Sequence, residues 1–283
     1  MSMVQKISVR GRSLVCLLLL VGVLSACGST GNTTGNAAGD NTTQQVDAEP
    51  KSQVTLTISA AASLKDSMEE LASLYKKEHG NVTLTMNFGA SGSLQKQIEQ
   101  GAPADLFLSA GQKQMNALID GKFVNADSKI DLLQNRLVLI VPSDAAIVPK
   151  DLEALKDNGF GKIALGEPEV VPAGSYTKES LEYAQLWDAL QSKMVFAKDV
   201  TQVLTYVESG NADAGFVYES DAKLSDKVNT ALVVDEKSHA PIVYPAGIVT
   251  ATKHLDEAGQ FLKFLQTAEA RDVFASHGFT VTE

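Results

Sequence analysis

The sequence predicts an α/β protein built on two mostly parallel sheets. Short apolar runs alternate with helical patterns along residues 54–283, the hydrophobic fraction of 44% supplies a core of that size, and no short-period repeat breaks the alternation. Strands separated by helices form βαβ units. A stretch this long fits two sheets of about 100 to 130 residues each better than one.

Val54 to Ile58 reads as the first strand. Leu64, Met68, Leu71 and Leu74 then recur at helical spacing until Gly80 stops the helix. Val82 to Phe88 is the next strand, and a helix from Ser91 carries Leu94 and Ile98 to Gly101. Asp105 to Ser109 is strand, and Met115, Leu118 and Ile119 mark a helix ending at Gly121. Leu137 to Val141 is a buried strand closed by Pro142, followed by a strand at Lys162 to Leu165. One helix is expected to carry Leu181, Leu186, Trp187 and Leu190. Met194 to Ala197 is strand, and Val200, Val203, Leu204 and Val207 form a helix. Ala214 to Tyr218, Ala231 to Val234 and Gly247 to Thr250 read as further strands, before a helical segment with Leu255, Phe261, Leu262, Leu265, Val273 and Phe274.

Ahead of this body, Lys6, Arg10 and Arg12 form a positive region, followed by an apolar run from Leu14 to Leu24 that is too short to cross a bilayer of about 30 Å. The run closes on Leu24-Ser25-Ala26-Cys27, which resembles the lipobox of bacterial lipoproteins. Residues 1–26 therefore read as a lipoprotein signal peptide, with Cys27 as the lipidated, palmitate-bearing first residue of the mature chain. Cys16 leaves with the signal, so the folded part has no thiol for a disulfide, a zinc-thiolate site or a nucleophile. Residues 28–53 are rich in Gly, Thr, Asn and Gln, with Val46 their one branched apolar side chain. They read as a flexible tether with a mean reach of about 25–30 Å. A body held that close to a membrane is expected to work with a membrane partner.

The net charge is −10, and removal of the signal's three basic residues takes it to −13. Acidity without a basic stripe excludes nucleic acid as a partner. It also argues, at first sight, against a small anion.

The turns between strands and helices modify that second inference, because ligands of open α/β sheets bind beyond the carboxyl ends of the strands. Ser59-Ala60-Ala61-Ala62-Ser63 follows the first strand, with Ser63 placed as a helix N-cap. Gly89-Ala90-Ser91-Gly92-Ser93 follows the second, Gly166 to Gly174 opens a later helix, Lys198-Asp199-Val200 opens another, and Tyr218 closes a strand. Small residues allow close backbone approach, and the first N–H groups of each helix lack intrahelical partners. Four such termini converging would make a nest of neutral donors suited to a compact oxyanion. Taken singly, Ser63 and Ser91 also fit ordinary caps.

The segments SAAASL (59–64), FGASGSLQKQIEQGAPADLFLSA (88–110), GEPEVVPAGSYTKESL (166–181), KDV (198–200), FVYESDA (216–222) and HGFT (277–280) resemble the periplasmic molybdate-binding proteins of ABC importers, in order along the body. The resemblance implies a two-lobed periplasmic-binding-protein fold of type II with a ligand cleft between the lobes. It implies lobe I at 54–136, lobe II at 137–237 and a return to lobe I at 238–283, on a chain acting as a monomer with no cofactor. It places the ligand contacts on Ser63 and Ser91 through backbone N–H and hydroxyl, on the backbone N–H of Ala173 and Val200, and on the Tyr218 hydroxyl. Family members often carry a Ser-rich run beside the second serine; here the register of Phe88 and Leu94 favours Ser91 over Ser93. The implied function is capture of molybdate, and of tungstate, on the extracytoplasmic face of the membrane for an ABC permease and ATPase.

Sulfate is the main rival, since it differs from molybdate in size. Phosphate, a protonated oxyanion, needs a buried acceptor, and Asp199 is the one acid close to these turns' donors. A serine hydrolase using Ser91 would need G-x-S-x-G, which Gly89-Ala90-Ser91-Gly92-Ser93 misses at its last position, and a histidine base. His79, His239, His254 and His277 show no metal-ligand spacing either.

Overall fold

The computed structural model describes residues 52–282. The expected signal peptide, Cys27 and all but the end of the expected tether lie outside the described residues. Four strands come first: β1 (Val54–Ala61), β2 (Val82–Gly89), β3 (Leu106–Leu108) and β4 (Ile130–Gln134). Then come β5 (Leu137–Pro142), β6 (Ile163–Gly166), β7 (Met194–Ala197), β8 (Ala214–Tyr218) and β9 (Val228–Val233). Last are β10 (Val243–Ile248) and β11 (Thr280–Val281). One sheet has the order β11-β4-β10-β3-β1-β2 and the other β7-β6-β8-β5-β9. The chain therefore passes from the first sheet to the second between Gln134 and Leu137, and returns between Val233 and Val243.

The helices are α1 (Lys65–Glu78), α2 (Ser91–Glu99), α3 (Gln112–Asp120), α4 (Pro172–Tyr183), α5 (Trp187–Leu190), α6 (Val200–Glu208), α7 (Glu219–Lys223), α8 (Leu255–Phe264) and α9 (Ala268–Ser276). None among the described residues is long and apolar enough to cross a membrane.

Burial explains the strand sequences. In β3, Leu106 and Leu108 join the large core while Phe107 points to a satellite cluster with Leu94, Met115 and Leu118. A strand covered on both faces has no polar alternation. β5 is likewise apolar: Leu137 to Val141 are fully buried, with α4, α6 and α7 packed against the strand. The edge strand β9 exposes Asn229 and Thr230.

Both sheets are mixed, where mostly parallel ones were expected. β1 runs parallel to β2 and β3, and β6 to β7 and β8. β10 is antiparallel to β3 and β4, β11 to β4, and β5 to β8 and β9. Strands joined by a helical crossover within one sheet are forced parallel. A strand at which the chain enters from the other sheet carries no such constraint, and β5 and β10 are those strands.

Three local expectations also change. β4 has no strand in the sequence reading. The expected helix through Leu190 is two helices: Gln185 takes a left-handed φ of 59°, and the N–H groups of Gln185 and Leu186 bond the carbonyls of Glu182 and Leu181. That is a Schellman stop made without glycine. Gly247–Thr250 is replaced by a strand at Val243–Ile248.

Candidate functional site

β1 ends in a 3-10 turn, Ala62–Leu64, before α1 begins. Ser63 lies inside that turn and caps nothing, contrary to its reading as an N-cap. Its Oγ is 3.0 Å from the Tyr244 hydroxyl. Ser91 is the first residue of α2, not its cap, and its Oγ accepts the Ala110 N–H at 2.9 Å. Each side chain is thus committed to a partner across the fold, which an ordinary cap would not be.

Ala173 sits in the first turn of α4 behind Pro172, where a proline costs the helix no hydrogen bond. Gly174 lets this turn rest on the end of β6, because a Cβ there would lie 2.0 Å from the Gly166 carbonyl oxygen. Val200 opens α6 after Asp199, whose carboxylate accepts the Gln202 N–H at 2.8 Å. Tyr218 ends β8, and its hydroxyl donates to the Ala110 carbonyl at 3.4 Å.

These five residues, drawn from both sheets, line one small, tight cavity with Ala61, Ala90, Ala110 and Asp199 among its other walls. Ser93 is not part of the lining. Ser63, Ser91, Ala173, Val200 and Tyr218 are all at most 5% exposed. The cavity is closed across the sheets by the Gly92 N–H, which donates to the Val170 carbonyl at 2.9 Å. A Cβ on Gly92 would lie 2.7 Å from that oxygen, so this approach requires glycine. A larger groove at the amino ends of β1 and β3, lined by Thr57, Asp105, Lys122 and Lys253, contains none of the five.

No Lys, Arg or His lines the cavity. Its positive character comes from the N-terminal N–H groups of α2, α4 and α6 and of the 3-10 turn, aimed at one space. Burial, reinforced by Tyr244, Tyr176 and Asp221, pushes the Tyr218 phenol well above its usual range, so it stays a proton donor. Asp199, the acid in the wall, spends an oxygen on its own helix.

Behind the wall lie residues the sequence reading did not single out. Tyr244 packs edge-on against Tyr218 with centroids 5.6 Å apart. Asp221, 3% exposed, accepts the Tyr218 N–H at 3.1 Å. Burial drives its carboxyl up to about 7, the Tyr218 N–H opposing and Asp66 and Asp199 adding to the rise. Asp221 falls within the FVYESDA block and could have been flagged there; Tyr244 carries no motif.

The hydroxyl of Ser91 meets a backbone N–H, not the histidine a hydrolase would need, and His239 and His277 bond the Ala240 carbonyl and Glu70. The family model described as bacterial extracellular solute-binding protein matches residues 56–280. Bacillus subtilis YvgL, assigned as an ABC transporter substrate-binding lipoprotein, is 48% identical over 83% of this chain and 90% of its own length. The molybdate-binding protein ModA of Escherichia coli is 38% identical, over 80% and 89%. Among solved structures, the substrate-binding domain assigned to a molybdenum ABC transporter of Clostridium difficile superposes with a TM-score of 0.64 at 48% identity, over 82% of this chain and all of that one.

Proposed function

The chain belongs to the bacterial extracellular solute-binding protein family, and we propose that it captures molybdate in the cavity between its sheets and delivers it to an ABC permease. The observation that carries this reading is the convergence of four helix starts, two serine hydroxyls and a protonated tyrosine on one small space without a cation. Neutral donors fixed by the fold suit a small dianion, because they need no reorganisation as the ligand enters. Hydrogen bonds to a charged oxygen contribute about 1.5–3 kcal/mol each.

The named relatives support molybdate among the tetrahedral dianions. Tungstate, nearly the same size, is expected to bind as well. Sulfate is the second reading, since it meets the same donors and differs only in how it fills the space. Hydrogen phosphate suits the site least, because Asp199 is its one charged acceptor and spends one carboxylate oxygen on the Gln202 N–H.

Capture and delivery are the protein's whole activity in this reading, and catalysis is not part of it. The signal peptide, the lipobox and the tether support anchorage through Cys27 on the extracytoplasmic face, within reach of the permease. Cys27→Ser is expected to release the protein from membranes.

A thermal-shift panel of molybdate, tungstate, sulfate and phosphate tests the ligand. A ligand that binds only the folded state raises Tm, by about 2.7 kcal/mol of stabilisation at a hundredfold excess over Kd. Molybdate and tungstate should give the largest shifts. A larger shift with sulfate would favour the second reading, and no shift with any oxyanion would remove the assignment.

A further inference from the structure

We infer that Asn135 and Tyr244 form a buried hydrogen-bond relay that fixes the Ser63 hydroxyl as a donor into the cavity, making them positioning residues for the ligand. The Asn135 Oδ1 accepts the Arg136 N–H at 2.9 Å, which fixes the amide so that its Nδ2 faces the other way. That NH2 donates to the Ser220 Oγ at 2.8 Å and to the Tyr244 hydroxyl oxygen at 3.4 Å.

Tyr244 is 1% exposed and its one proton must find an acceptor. The Ser63 Oγ, at 3.0 Å, meets that need among the described residues. Burial keeps the phenol protonated throughout the ordinary pH range. Once Ser63 accepts from Tyr244, its own hydrogen is free for the cavity that it lines. Ser91 is arranged the same way, its oxygen receiving the Ala110 N–H.

Asn135 stands in the two-residue passage between β4 and β5, so the relay starts where the chain crosses from one sheet to the other. It ties the crossing (Asn135), the second sheet's side (Ser220) and the returning strand (Tyr244) to the hydroxyl that meets the ligand. With one lone pair taken by Tyr244, Ser63 turns its hydrogen to the cavity and keeps less acceptor capacity for an oxyanion that must itself donate a proton.

The inference rests on the oxyanion reading and is tested by a double-mutant cycle on the full chain, titrated with sodium molybdate by calorimetry. Tyr244→Phe keeps the ring contacts with Tyr218 and Phe279, whose centroids lie 5.6 and 5.4 Å away, and removes only the hydroxyl. It should weaken molybdate binding on the order of tenfold. In a Ser63→Ala background the same change should cost almost nothing, because the group it acts through is gone. Tyr244→Phe should also narrow the preference for sulfate over hydrogen phosphate, which a merely structural role would not do. An equal loss in both backgrounds, or unchanged affinity and unchanged preference, overturns the relay. Failure of the unmodified chain to bind any oxyanion would defeat instead the reading on which it rests.

Discussion

Ser63 and Ser91 look interchangeable in sequence, two serines after two strands, yet each is held by a different partner: a phenol for Ser63, a backbone N–H for Ser91. Asp221 adds a titrating charge behind the same wall. Its folded pKa of about 7 lies above its unfolded value, so its contribution to stability is full below about pH 4 and is lost as pH rises through 7. The ionised form also repels a dianion, so affinity should fall as pH rises from 6 to 8. Asp221→Asn should flatten both trends, in chemical denaturation and in binding followed across that range; a wild-type profile in the variant would show that another group is responsible. The turns that hold the five lining residues follow from strand and helix order, while the family resemblance singled out the five within them, since nothing local marks Ala173 or Val200. Tyr244 and Asn135 could not be read either way. Their role depends on which hydroxyl they meet across the fold, and separations of 181 and 109 residues leave no local trace.

At the level of elements, helix starts supply the donors that the proposed binding uses, and a start tolerates proline where an interior does not. Ala173→Pro removes the backbone N–H in the first turn of α4 while sparing the helix. Molybdate affinity should fall at least tenfold with little change in Tm; retained affinity would take Ala173 out of the contact set. Helix ends were legible where glycine supplies the left-handed residue, as Gly101 does after α2 with φ 83°. They were not where Gln185 does so, at 59°, because its side chain gives no local signal. Strand β4 escaped for a related reason. Ile130 to Gln134 is short, half polar, and paired only with strands from the far end of the chain. The antiparallel pairings were hidden too, since alternation of strand and helix reports crossovers within a sheet and says nothing of passages between sheets.

In the proposed function the molecule brings two sheets together around the ligand, and the Gly92–Val170 hydrogen bond, with the Tyr218–Ala110 one, closes them over the cavity. Gly92→Ala places a Cβ against the Val170 backbone and should disfavour closure. Its expected signature is faster ligand release and affinity down on the order of tenfold, with Tm of the free protein nearly unchanged. Equal release rates in stopped-flow would show that closure does not depend on this approach. Net charge acts at the same scale. A chain at −10 should repel a dianion, and the repulsion is expected to slow capture, not to prevent it, because the acidic side chains are solvated while the cavity presents dipoles. If neutral donors in one cavity hold a tetrahedral dianion, calorimetric titration of molybdate into the unmodified protein, Ser63→Ala and Tyr218→Phe will read it out. One site per chain is predicted, weakened on the order of 10- to 100-fold by either substitution. Affinity equal to that of the unmodified protein in both variants would contradict it.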